Sequence, residues 1–222
     1  MSRPIAVLRP EPGNGATAAA IEARGHAAIR LPLFAVRPLA WQAPDPSTFD
    51  ALLLTSANAV RHAGAGLARL AALPAYAVGE ATAAAARAAG LKVAAAGDSN
   101  AAALLAAAGK AGVRRALHLA GRDRLVEAGG IVASVIPVYA SEPLPVAPEA
   151  LARLAGSVAL VQSARAAHRL ATLLPAIERG GIALVAVSRR AAMAAGPGWE
   201  TVVVPGSPRG EALIAAAGAL AD

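Results

Sequence analysis

The residues Leu52-Leu53-Leu54-Thr55-Ser56-Ala57-Asn58-Ala59-Val60 decide how the rest of the chain is read. A short apolar run without polar alternation is the pattern of a strand buried on both faces. It ends in two hydroxyl residues. Ser56 is placed to cap a helix beginning at Ala57, because its side-chain oxygen can accept from a free amide of the first turn. A strand that turns at once into a helix aims backbone N–H groups and a positive helix end at one point, which suits an anion. The chain repeats the device. Leu160-Val161-Gln162-Ser163-Ala164-Arg165-Ala166-Ala167 has the same layout, with Ser163 standing 107 positions after Ser56.

Working outward from these two stretches, strand and helix patterns alternate along the whole chain. Toward the N-terminus, Ile5–Leu8 is a strand closed by Arg9-Pro10, Gly13 and Gly15 loosen a turn, Ala16–Arg24 is a helix, and Ala28–Leu33 is a strand. A proline-punctuated connector, Phe34–Pro44, leads into Ala51–Thr55, and a helix over Ala57–Leu70 follows. Ala75–Val78, Lys92–Ala96, Arg115–Ala120 and Ile131–Val138 are further strands, separated by helices that end at Gly90 and Gly109. Tyr139 opens a second proline-rich connector, which ends at Pro148. Helices at Glu149–Ala155, Ala164–Ile177 and Gly210–Leu220 enclose strands at Val158–Val161, Ile182–Val187 and Thr201–Val204. Such alternation indicates parallel sheets with crossover helices.

The internal repeat extends well beyond the two capped turns. Residues 97–109 read GDSNAAALLAAAG and residues 206–218 read GSPRGEALIAAAG, a shift of 109. At the same shift Val93-Ala94-Ala95 stands opposite Val202-Val203-Val204, and Ala77-Val78-Gly79 opposite Ala186-Val187-Ser188. Residues 32–39 match 137–144 at a shift of 105, with both prolines aligned. Two homologous α/β units account for this. The period is too long for a solenoid.

Composition narrows the function. Hydrophobic residues make up 56% and charged residues 16%, which describes a folded chain with ample core. No uninterrupted apolar run approaches the ~18 residues of a membrane helix. The apolar stretch near the N-terminus is too short for a signal peptide. The absence of Cys excludes disulfides and thiolate metal sites, and it fits a reducing cytoplasm. The net charge of +7 raises the question of nucleic acid, but the basic residues are scattered and aromatics are only 3%, so no basic run alternates with stacking side chains. Only Lys92 and Lys110 of the 21 cationic residues are Lys, so a coding bias toward Arg contributes. The surplus also suits a small polyanionic substrate.

Open α/β sheets bind ligands at the C-terminal ends of their strands. The residues expected there are Arg9, Thr55, Ser56, Asn58, Gly79, Thr82, Arg122, Gln162, Ser163 and Ser188, with the amides of Ala57 and Ala164 beside the two caps and Tyr139 on its connector. Hydroxyls and helix starts dominate this group, and it contains no carboxylate pair. Taken singly, Ser56 and Ser163 are explained as helix caps, and Arg122-Asp123 as a surface turn. His62 and His168 fall within helices and read as solvated positions. No spacing resembles a metal site, a nucleophile elbow or a dinucleotide loop. Two other classes fit the same turns: a cytoplasmic bilobal module that senses a small anion without catalysis, and a flavin protein, against which the scarcity of aromatics counts.

Certain pieces carry a resemblance. Leu54-Thr55-Ser56-Ala57-Asn58-Ala59-Val60, then Ala77-Val78-Gly79 with Thr82 and Gly90, Gly121-Arg122, Val138-Tyr139, the Ser163 turn and the closing segment 208–213 resemble the uroporphyrinogen-III synthase family over essentially the whole chain. The resemblance implies two similar flavodoxin-like parallel-sheet lobes joined by two extended connectors, with a cleft between them. Residues 1–34 and 144–222 would form one lobe, 40–138 the other, and 35–39 and 139–143 the connectors. It implies a dehydrating cyclisation of hydroxymethylbilane, a linear tetrapyrrole with eight carboxylates, to uroporphyrinogen III with inversion of ring D and without metal or cofactor. Tyr139 would donate the proton that lets the hydroxyl leave as water, and the strand-end residues above would hold carboxylates. The expected setting is a cytoplasmic monomer with no nucleic-acid or membrane partner, in transient contact with the enzyme that makes the bilane.

Overall fold

The run Leu52–Leu54 is apolar because both of its faces are covered. Leu52 and Leu54 pack into one core cluster with Val60, Leu67, Leu117 and Leu119, while Leu53 packs into another with Tyr76, Leu104 and Val132. Each such leucine contributes about 1.5–3 kcal/mol by leaving water. The computed structural model describes residues 2–97 and 100–222. The chain divides into two units, Met1–Ala35 with Pro143–Asp222, and Val36–Glu142.

The elements run in order as β1 (Ile5–Val7), α1 (Gly13–Glu22), β2 (Ala28–Arg30), β3 (Phe34–Pro38), β4 (Ala51–Leu54), α2 (Ala57–His62), β5 (Ala75–Val78), α3 (Glu80–Ala88), β6 (Val93–Gly97), α4 (Ala101–Lys110), β7 (Ala116–Gly121) and β8 (Val132–Pro143). After these come α5 (Pro148–Ala152), β9 (Val158–Val161), α6 (Ala164–Leu173), α7 (Ala176–Arg179), β10 (Ala183–Ala186), α8 (Arg189–Ala195), β11 (Thr201–Val203) and α9 (Gly210–Ala221).

Among the described residues the discontinuous unit holds a five-stranded sheet in the order β11-β10-β9-β1-β2. Numbered within the unit this is 2-1-3-4-5, the flavodoxin-like order. Its central pairing is parallel, with Ile5 opposite Val158 and Val7 opposite Leu160. Ile5 and Val7 face one core cluster; Ala6 and Leu8 face the other. The continuous unit holds the order β3-β8-β7-β4-β5-β6. Strands β6-β5-β4-β7-β8 repeat the plan of β11-β10-β9-β1-β2, and the sequence repeat aligns β6 with β11 and β5 with β10. The chain enters the second plan at a different strand, so one sheet is a circular permutation of the other. In both, the order reverses at one gap: between β1 and β9 in the first, between β4 and β7 in the second. Those gaps are the topological switch points where such folds bind ligands.

Several local expectations change. The connectors are regular strands. Phe34–Pro38 is an edge strand, where a proline does not interrupt a ladder on its open side, and Val132–Pro143 runs unbroken through Tyr139. Gly13 and Gly15 lie inside α1 rather than in a loose turn. The helix after Ser56 stops at His62 and continues as a 3₁₀ segment over Gly64–Leu70. Gly64 takes φ +62°, and Gly66 lies so close to Trp41 that a Cβ there would sit 2.7 Å from the indole. Pro175 ends the helix expected over Ala164–Ile177, which restarts as α7.

Candidate functional site

Both capped turns form as their sequences dictate. Ser56 Oγ accepts from the Asn58 amide at 3.2 Å, and Ser163 Oγ accepts from the Ala166 amide at 3.1 Å. Ser188 repeats the arrangement at the end of β10, accepting from the Ala191 amide at 3.2 Å. The caps satisfy one amide each and leave other first-turn N–H groups, those of Ala57 and Ala164 among them, pointing out of the strand end. At the end of β5, Gly79 has φ +77° and ψ 152°, a backbone that side-chain-bearing residues rarely adopt. That turn brings Thr82 into the first turn of α3, where it is buried.

In the continuous unit the strand ends enclose a cavity of about 300 Å³ lined by Thr55 and Ser56 just past β4, Gly121 from β7 and Tyr139 from β8, with Asp123 to Val126 along one wall. The cavity therefore sits at the switch point. Tyr139 reaches it because the β7–β8 register shifts at Gly121, which stands opposite Tyr139. The phenol lies over Gly121, where a Cβ would come within 2.8 Å of the ring and 2.9 Å of the hydroxyl. The Arg122 amide donates to the Tyr139 carbonyl at 2.8 Å and fixes the turn beside it. The Arg122 guanidinium itself is paired with Glu142 at 2.8 Å, so its charge is already matched in part. Asn58 accepts weakly from Arg61 at 3.4 Å and stays half-buried at the first turn of α2.

The discontinuous unit presents Arg9 after β1, Gln162-Ser163 after β9 and Ser188 after β10, so its own switch point carries Arg9, Gln162 and Ser163. Arg9 is exposed and lies against Gly13. The side-chain oxygen of Gln162 is buried and has no hydrogen-bond partner. Asn14 is fully buried and donates to the carbonyls of Val7 and Arg9 at 2.7 and 3.0 Å, which binds the start of α1 to the end of β1.

Two histidines near the cavity were not expected to matter. His62 is not simply solvated: its ring lies 6.2 Å from that of Tyr139, and burial, with Arg61 adding to it, lowers its pKa. His118, in the middle of β7, is 1% exposed, and its Nε2 is 3.0 Å from Thr55 Oγ1. Burial pushes its pKa down to about 4; the Val126 backbone beside the ring offsets part of that, without meeting Nδ1 in hydrogen-bond geometry. The ring is therefore neutral at pH 7. One signal in the sequence pointed to it: a His within Ala-Leu-His-Leu-Ala, a run patterned as a fully buried strand, needs a partner.

Residues 15–215 match the family described as uroporphyrinogen-III synthase HemD. No protein with a curated description matches the chain. Among solved structures, the uroporphyrinogen-III synthetase of Helicobacter pylori 26695 is similar at 18% identity, covering 99% of this chain and 100% of that one with a TM-score of 0.69. A mutant uroporphyrinogen III synthase from the extremely thermophilic bacterium Thermus thermophilus is similar at 20% identity, covering 99% of each chain with a TM-score of 0.56. Both likenesses concern the fold.

Proposed function

Since this chain belongs to the uroporphyrinogen-III synthase family, we propose a division of labour among its residues for the dehydrating cyclisation of hydroxymethylbilane to uroporphyrinogen III. The observation that carries the proposal is the meeting of Tyr139 with Thr55 and Ser56 around one cavity at a switch point. The Tyr139 hydroxyl donates its proton to the substrate's terminal hydroxyl, the C–O bond breaks, and water leaves. The electron-poor carbon left behind is attacked by the terminal pyrrole at the carbon that already bears its bridging methylene, giving a spiro intermediate. The older bridge bond breaks and re-forms at the free α-carbon of that ring, which inverts ring D, and the proton lost from that carbon returns to the Tyr139 phenolate. The substrate is reactive by itself and closes unassisted to the uninverted isomer. The protein's larger task is therefore to hold the chain in the pose that leads to inversion, and positioning of this kind accounts for about 7–11 kcal/mol in favourable cases.

Holding falls to donors that suit carboxylates. Ser56, Asn58, Thr82 and Ser163, with the amides of Ala57 and Ala164 and the open turn at Gly79, take acetate and propionate groups; Thr55 and Ser188 add hydroxyls. Arg9 and Arg122 supply positive field, Arg122 the less because Glu142 pairs with it. Gln162 differs from the others: its buried, unpartnered oxygen is an acceptor, which suits a pyrrole N–H better than a carboxylate. The same reading takes residues 1–34 with 144–222 and residues 40–138 as the two lobes, joined by 35–39 and 139–143, and the two contact units support it. It also takes the protein to act as a cytoplasmic monomer that meets the bilane-forming enzyme transiently. Among the described residues no helix is long and apolar enough to cross a membrane.

The test is incubation with freshly made hydroxymethylbilane, oxidation, and separation of the porphyrin isomers. The type III isomer should dominate. A mixture equal to the no-enzyme control overturns the assignment. Tyr139→Phe keeps the ring and removes the proton, and kcat should fall by about 100-fold. Activity within twofold of the parent rules out the donor role.

A further inference from the structure

Thr55 is the last residue before the capped turn, and its hydroxyl has two neighbours of different kinds. One is the cavity it lines; the other is His118 Nε2 at 3.0 Å. His118 is adjacent to Leu53 across the β4–β7 ladder, so its ring stands on the same sheet face as Thr55, which follows two residues later just past the end of β4. It is 1% exposed, and the backbone of Val126 lies beside the ring. Its Nδ1 is buried with no hydrogen-bond partner. A buried imidazole with one free nitrogen is a destabilising residue for the middle of a strand that is otherwise Ala, Leu and Gly. Leucine or valine would fill the place without that cost, so stability does not explain the choice.

We propose that His118 is a positioning residue for the cyclisation: through Nε2 it holds the Thr55 hydroxyl in one orientation, with the rest of that hydroxyl's hydrogen-bonding capacity turned to the substrate. Nε2 and Oγ1 share a single hydrogen. A free threonine hydroxyl rotates among three staggered positions, and a shared hydrogen restricts that choice. Where the hydroxyl donates to a bare Nε2, its hydrogen is fixed on that line and its lone pairs are left for the substrate; where Nε2–H donates instead, one lone pair is fixed and the hydroxyl's hydrogen is confined to the two remaining positions. Burial keeps the ring neutral across the physiological range, so the arrangement does not change with small shifts of pH. Fixed donors and acceptors of this kind favour one pose over its competitors without reorganising during the reaction. Here the competing pose is the one that closes to the uninverted isomer. The role rests on the function proposed above.

The test is a double-mutant cycle with a matched pair of replacements. A glutamine amide reaches about as far as Nε2, whereas an asparagine amide reaches only about as far as Nδ1. H118Q should retain kcat/KM within threefold of the parent, while H118N and H118L lose about 10-fold, H118L with a melting temperature no lower than the parent's. In a T55V background H118L should cost less than twofold more, because the contact it breaks is already gone. Equal losses from H118L in both backgrounds, or equal activity of H118N and H118Q, overturn the role. A second readout needs no activity: in ¹⁵N-histidine spectra T55V should shift the His118 Nε2 resonance, and an unmoved resonance also overturns it. If the parent protein yields only the control isomer mixture, the proposed function fails instead. With an active parent and an additive cycle, only the role of His118 falls.

Discussion

Lowering the pH from 7 to 5 should destabilise the unit Val36–Glu142 by about 2 kcal/mol through His118 alone. In the unfolded chain the imidazole titrates near 6.5, whereas in the folded unit burial holds it near 4. Between those values the unfolded state binds a proton that the folded state refuses, so stability is fully present above pH 6.5 and falls as the pH drops toward 4. Each unit of separation is worth about 1.4 kcal/mol, so the full window is worth about 3 kcal/mol, and about 2 kcal/mol of it is lost by pH 5. Asp45 and Asp50 lie in the same unit. The amide of Ser47 holds the carboxyl of Asp45 below the ordinary aspartate range, and the amides of Arg114 and Arg115 do the same for Asp50, so both lose their contribution only below about pH 4, outside the window. His62 shifts in the same direction as His118, but it is common to any pair of variants that differ at 118. The assay is urea unfolding of the parent and H118Q at pH 7 and pH 5, each carrying Trp199→Phe so that Trp41 alone reports on this unit. The difference in unfolding free energy between the two proteins should move by about 2 kcal/mol in favour of H118Q. A difference constant to within ~0.5 kcal/mol refutes the argument, because a ring protonated in both states, or in neither, contributes no slope.

Gly121→Ala places a methyl 2.8 Å from the Tyr139 ring on a backbone that accepts it, so kcat should fall by about 10-fold or more with the melting temperature little changed; wild-type kcat would mean that the phenol's position is immaterial. Gly79→Ala forces a side chain onto φ +77°, ψ 152° and should cost about 1–3 kcal/mol in urea unfolding followed by Trp41, an unchanged midpoint showing that the turn relaxes freely. Ser56→Ala and Ser163→Ala each remove a cap worth about 1 kcal/mol, and the losses should separate by unit, the first seen by Trp41 and the second by Trp199. Loss of signal from the wrong tryptophan would contradict the division of the chain.

Much of this architecture is written locally. β4 and β9 are legible because a strand covered on both faces needs an unbroken apolar run, and the hydroxyl after each run needs a helix to cap. Helix stops at Gly64 and Pro175 have equally local causes, although a continuous apolar period hid them. β3 and the far half of β8 were obscured by prolines, whose cost depends on whether a strand lies at an edge, and that is decided by residues far away. The candidate site shows the same contrast. Ser56 and Ser163 could be read from their own turns. His118 could not be tied to Thr55, because its partner lies 63 positions away in the chain and on the neighbouring strand. The pairing of Arg122 with Glu142 is hidden for the same reason, since Glu142 stands 20 positions away on another segment. The circular permutation is hidden from a repeat alone, since the repeat says which strands correspond and not where the chain enters the sheet.

That entry point matters on the ribosome. β1 is wholly buried and central to its sheet, yet its neighbour β9 is made roughly 150 residues later, which at ordinary rates of translation is a delay of about 8–30 s. For that time Ile5, Val7 and Leu8 have no sheet to enter beyond the pairing with β2, while β4 to β8 emerge in succession and complete the continuous unit first. The nascent chain therefore carries an unfinished apolar segment while the continuous unit completes, and α9 has to emerge before Leu213 and Ile214 can cover Ile5 and Val7. Completion of the sheet around β1 waits on β9 and α9, long after the continuous unit has its strands.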